Sequence, residues 1–108
     1  MGVLKFSRRE YDFTDRLLTH LQTAITGKLL RRESFAMSWG GLSSPDRPPT
    51  TVWVTPGAAI EFFYSSDHVE PINDAWVEAL EWSAHQAGGM QLMSEETAQG
   101  LAIRHPLD

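Results

Sequence analysis

The chain has 108 residues, 42% of them hydrophobic and 21% charged, with a formal net charge of -5. That is the size and balance of one soluble domain, and the acid excess disfavours a general binder of nucleic acid or anionic membrane. The absence of cysteine excludes disulfides, thiolate nucleophiles and cysteine-ligated metal centres, and fits a reducing, cytoplasmic setting. The charge is uneven: residues 1–54 carry eight basic against five acidic side chains, and residues 55–108 carry one against nine. No apolar run reaches the roughly 20 residues that cross a bilayer, and the first ten residues lack a signal peptide's apolar core.

In chain order, residues 3–6 and 10–13 flank Ser7-Arg8-Arg9 and predict a hairpin. A helix follows. Thr14 is its cap, Asp15 suits the positive end of its dipole, and Phe13 and Leu18 occupy the two positions of a hydrophobic staple. Leu18, Leu21, Ile25 and Leu29 then form one apolar stripe. Residues 34–39 alternate, with Phe35, Met37 and Trp39 on one face. Residues 40–50 are a loop rich in Gly, Pro and Ser. Residues 51–54 and 59–64 read as strands. A second helix starts at the cap Asn73 with Asp74 in its first turn. Trp76, Val77, Leu80, Ala84 and Ala87 make its buried face, and Gly88-Gly89 ends it. Residues 90–93 form a short last strand.

The order β-β-α-β-β-β-α-β, with mostly short connections, predicts a two-layer α+β fold: one mostly antiparallel sheet with two helices on one face. Residues 1–93 form the domain. Residues 94–108 are a mobile tail or docking arm.

The four histidines, His20, His68, His85 and His105, lack ligand spacing, so they read as surface residues and no metal or cofactor is expected. No nucleophile elbow or phosphate-binding glycine loop is present. Glu61, His68 and Glu70 are the best acid/base candidates, but no spacing joins them, so no catalytic residues are assigned and the protein is not expected to be an enzyme. Asp74, Glu78 and Glu81 make an acidic stripe on the second helix. Trp53 and Phe63 point away from the apolar sides of their strands, and Trp82 points toward the acidic stripe. Exposed aromatics of this kind mark an interface. Arg31, Arg32 and Arg47, with Trp39 or Trp53 for stacking, are the candidates for a ligand or phosphate.

Several segments together resemble a family of small uncharacterised actinobacterial and actinophage proteins. They are the N-terminal Met-Gly-x-Leu; Leu17-Leu18-x-His20-Leu21-Gln22 followed by Lys28-Leu29; Arg31-Arg32-Glu33-Ser34-Phe35 leading to Ser38-Trp39; Thr51-x-Trp53-Val54-x-Pro56; and Asn73-x-Ala75-Trp76-x-Glu78-Ala79-Leu80 with Gly89. Members of that family often carry the label ATP-dependent DNA ligase. Such ligases need a nucleophilic lysine in Lys-x-Asp-Gly, and the only lysines here, Lys5 and Lys28, stand in other contexts.

The expected function is a non-enzymatic protein-interaction module. It self-associates, a dimer being favoured, or binds another protein, through exposed aromatics and opposite-charge ends. The alternative is a small-ligand or nucleotide-binding protein, such as a phage modulator of a host factor.

Overall fold

The computed structural model describes residues 2–41, 46–67, 69–86 and 88–104. Its elements are β1 (Gly2–Phe6), β2 (Arg9–Phe13), α1 (Asp15–Leu30), β3 (Phe35–Trp39), β4 (Thr50–Val54), β5 (Ile60–Phe63), α2 (Asp74–Ser83), β6 (Met90–Gln91) and α3 (Glu95–Arg104). The class is α+β, with two features the sequence did not announce: a third helix, and strands divided between two sheets.

The first sheet has the order β2-β1-β5 and the second β4-β3-β6. β1 pairs antiparallel with β2 (Leu4 opposite Tyr11) and with β5 (Leu4 opposite Phe62). β3 pairs antiparallel with β4 (Met37 opposite Val52) and parallel with β6 (Met37 opposite Met90). The single sheet expected from sequence is therefore split where β4 passes into β5. That link closes with Ala58 N–H on the Thr55 carbonyl, 2.9 Å, and carries β5 to β1, where Ser7 N–H reaches the Ala59 carbonyl at 2.9 Å. Strand pattern says which residues alternate, but not which strand accepts which.

Local chemistry sets the helix ends. The Thr14 hydroxyl accepts from Leu17 N–H at 3.2 Å, while Phe13 and Leu18 are both buried as a staple requires. The buried side of α1 runs through Leu18, Leu21, Ile25 and then Lys28. Leu29, assigned to that stripe from sequence, is only half-buried.

The Asn73 side chain accepts from Ala75 N–H at 3.1 Å, and Trp76, Ala79, Leu80 and Ser83 bury their side of α2. α2 stops at Ser83 rather than at Gly88-Gly89. The Ser83 hydroxyl donates to the Leu80 carbonyl at 2.8 Å and accepts from Gln91 N–H at 3.0 Å, tying the helix end to β6. Gly89 does a different job. It takes φ +78°, and a Cβ there would stand 2.6 Å from the Ala36 carbonyl oxygen, so only glycine lets β6 lie beside β3. Ala87 and His68 fall outside the described residues.

Residues 94–104, read from sequence as part of a tail or docking arm, begin with Ser94 capping Thr97 N–H at 3.2 Å and continue as α3. Its Ala98 is fully buried and α3 packs on α2. Residues 105–108 lie outside the described residues. Among the described residues no helix is long and apolar enough to cross a membrane.

Candidate functional site

The first turns of α1 bring together side chains that are far apart in sequence. His20 is fully buried and stacks on Trp76, ring centroids 4.4 Å apart. Its Nε2 accepts from Asn73 N–H at 2.8 Å, so the proton sits on Nδ1, which donates to the Arg16 carbonyl at 2.7 Å. Both ring nitrogens are satisfied, so His20 is a structural residue and not the surface histidine the sequence suggested.

One turn earlier, Arg16 forks onto Glu95: Nε to Oε1 at 3.0 Å and Nη2 to Oε2 at 2.6 Å. Asn73 Nδ2 donates to the same Oε2 at 2.7 Å. Arg16, first, and Asn73 hold the Glu95 carboxyl down at about 2. Glu95 in turn raises Arg16 above its ordinary value. Arg16 also reaches the Pro71 carbonyl at 3.1 Å, and Glu70 at 3.7 Å.

Beside this network lies a cleft of about 550 Å³. Phe13, Trp39 and Trp76 supply rings, and Leu17, Leu92 and Met93 supply apolar wall. Arg47, Glu95, Ser94 and Thr97 are polar members of the lining. The rings brace one another: Trp39 meets Tyr11 and Phe13 edge to face, at 4.9 and 5.5 Å. Gly40, at φ +85°, lets the chain turn back so closely on Pro48 that a Cβ would collide with it. That return sets the Arg47 guanidinium 4.9 Å from the Phe13 ring centroid and lets Arg47 Nη2 donate to the Asp12 carbonyl.

A second cavity, of about 380 Å³, opens at the other end of α1. Lys28, only 2% exposed, pairs there with Glu33 at 2.7 Å and donates to His85 Nε2 at 3.2 Å. Its ammonium lies 5.8 Å from the Phe35 ring centroid. Lys28, then Arg31, pull the Glu33 carboxyl below its ordinary value. Arg31 bonds Glu33 and Glu81, each at 3.3 Å, and both raise it.

The residues singled out from sequence are thus dispersed. Trp39 and Arg47 meet at the large cleft; Arg31 and Arg32 do not join them. Trp53 is 63% exposed and Phe63 49% exposed, but Trp53 lies in β4 and Phe63 in β5, so they belong to different sheets rather than one uncovered face. Trp82 is 38% exposed. Asp74 and Glu78 face solvent, while Glu81 is half-buried and bound by Arg31. Glu61 is exposed, and Glu70 is held by Arg16. Among the described residues no three of His, Asp and Glu cluster as metal ligands.

The basic α1 and the acidic α2 do not lie at separate ends. α1 packs against α2, and Arg16 and Arg31 find their acids within the chain.

Sequence reasoning missed Lys28, although a signal was available: it stands three residues after Ile25 and seven after Leu21, in phase with the apolar stripe. Nothing local pointed to Glu95, which meets its partner across 79 residues.

A family model, a domain of unknown function designated DUF7882, matches residues 1–95. The chain belongs to the DUF7882 family. The matched span includes the β strands, α1 and α2, and it ends on Glu95, the first residue of α3 and the acid bound by Arg16. No curated protein and no solved structure matches this DUF7882 chain.

Proposed function

We propose that the protein is a ligand-binding domain and that the cleft lined by Trp39, Trp76 and Arg47 is the seat. The observation that carries this reading is the convergence of three aromatic rings with a few polar side chains on one opening of about 550 Å³. Small-molecule sites have this size and this mix of apolar wall and sparse polar groups. The absence of cysteine suits work in a reducing, cytoplasmic setting.

Titration with Nile red, a neutral apolar dye, tests the seat. Thr97 is exposed and lines the cleft, so Thr97→Trp fills the opening from its rim. The native chain is expected to bind the dye saturably and Thr97→Trp to lose that binding with its melting temperature kept. Equal binding by both proteins, or none by the native chain, overturns the reading.

A second reading, self-association into a dimer, is favoured by one observation: β4 is an edge strand that carries Trp53 at 63% exposure. Its occupant would be the same edge of a second copy, joined by backbone pairing and indole burial. Because Arg16 and Arg31 are paired within the chain, this contact would depend on apolar burial more than on charge. Light scattering at high micromolar concentration is expected to give a dimer that persists between about 50 mM and about 1 M salt, and Trp53→Lys is expected to give a monomer. A native monomer throughout would remove this reading.

A further inference from the structure

Three arginines sit close to aromatic rings or acids in this fold, and they differ in what neutralises them. Arg16 is matched by Glu95 and Glu70, and Arg31 by Glu33 and Glu81. Arg47 is half-buried, and among the described residues no carboxylate pairs with it. Its guanidinium spends one N–H on the Asp12 carbonyl and lies against Phe13, and further donors of the fork are unspent. The cleft's own acid, Glu95, has both oxygens committed to Arg16 and Asn73 and offers no comparable free charge to a cation. Trp39 adds a second donor: it is 7% exposed, lines the same cleft, and its indole N–H has no acceptor among the described residues. The cleft therefore has unspent donors and one unmatched positive charge, set among flat apolar walls.

We propose that the cleft takes a planar aromatic anion, its ring among Trp39, Trp76 and Phe13 and its carboxylate or phosphate on Arg47. The proposal rests on the reading of the cleft as a ligand seat and names the class of ligand. Planar guanidinium matches either oxyanion in a bidentate manner, while the aromatic wall selects a flat body over a branched one.

Calorimetric titration of the full chain near pH 7 separates the two claims. The probes are indole-3-acetate, phenyl phosphate and the neutral indole-3-acetamide, each against native protein and Arg47→Gln. At least one of the two anions is expected to bind about tenfold or more tighter than the amide, the scale of one charge-assisted contact. In Arg47→Gln that preference is expected to vanish while amide binding stays, which also shows that the variant is folded. Whichever anion binds tighter identifies the headgroup, carboxylate or phosphate. Amide binding as tight as both anions, or a preference that survives in Arg47→Gln, overturns the anion proposal and leaves the ligand seat standing. If none of the probes binds while Nile red still does, the proposal fails alone; if Nile red also fails, the ligand-seat reading falls with it.

Discussion

The two ends of α1 handle the same problem differently. At each end a basic side chain of the helix meets acids from elsewhere in the chain. Near the N-terminus, Arg16 is about a third exposed and its partners are remote: Glu95 lies 79 residues away and Pro71 lies 55. Near the C-terminus, Lys28 is buried to 2% and its acid, Glu33, is five residues along the same stretch of chain. The first end fastens α1 to the approach and cap of α2 and to the start of α3. The second finishes a local turn through Glu33 and also reaches α2 and the turn after it, by Arg31 on Glu81 and Lys28 on His85. A buried ion pair is weak testimony for stability, since desolvation offsets attraction, whereas a satisfied polar network that joins distant segments specifies how they pack.

If that contrast is right, the largest loss belongs to His20, the centre of the N-terminal network. His20→Ala removes a fully buried ring stacked on Trp76 and leaves Asn73 N–H without its acceptor. The expected cost is about 3 kcal/mol, from ring burial plus an orphaned donor. Urea unfolding measures it. A loss below about 1 kcal/mol would mean the network is decoration.

Asn73→Ala comes next. It deletes the cap on Ala75 N–H and one of the two groups holding Glu95. The cap alone is worth about 1 kcal/mol, and the same unfolding series should place this variant between His20→Ala and native protein.

The reach of these contacts also decides how much could be read from the sequence. Both caps, the hairpin, the alternation of Phe35, Met37 and Trp39, and the α+β class were legible because each depends on residues a few positions apart. The division into two sheets was not, because β5 leaves its neighbour β4 for β1, and no local pattern records that choice. At the cleft, Trp39 and Arg47 were visible as residue types; their meeting depends on the return of the chain at Gly40. Arg16 and Glu95 looked like ordinary surface charges. Lys28 alone carried an unused local signal, a lysine in phase with Leu21 and Ile25.

Acid should weaken both ends of α1, the N-terminal one through Glu95. The Glu95 carboxyl is held at about 2, against an ordinary 4.5. Its folded value is depressed, so the stability it contributes is complete above about pH 4.5 and is lost as pH falls toward about 2. Glu33, held down by Lys28, and Asp15, held down by the Ser65 hydroxyl, act in the same direction. Glu95→Gln is therefore expected to flatten part of the acid-induced drop in the urea midpoint across that window, and to leave the remainder. A drop as steep as in native protein would show that the Arg16–Glu95 fork adds nothing to folding.

The smallest effect is expected where the charge is most deeply buried. Lys28→Met keeps an unbranched stem of similar length against Phe35 and removes the ammonium that had to be desolvated. Glu33 keeps Arg31 on its Oε2 at 3.3 Å and its side chain is 36% exposed, so a rotation of the side chain can carry Oε1, buried against Lys28, out to water. His85 is exposed and loses only a donor that water replaces. The change in unfolding free energy should stay within about 1 kcal/mol of native, in either direction. Lys28→Ala removes the packing stem as well and should cost more than Lys28→Met. If the methionine variant instead loses as much as His20→Ala, the buried ammonium is itself stabilising, and the two ends of α1 are equals after all.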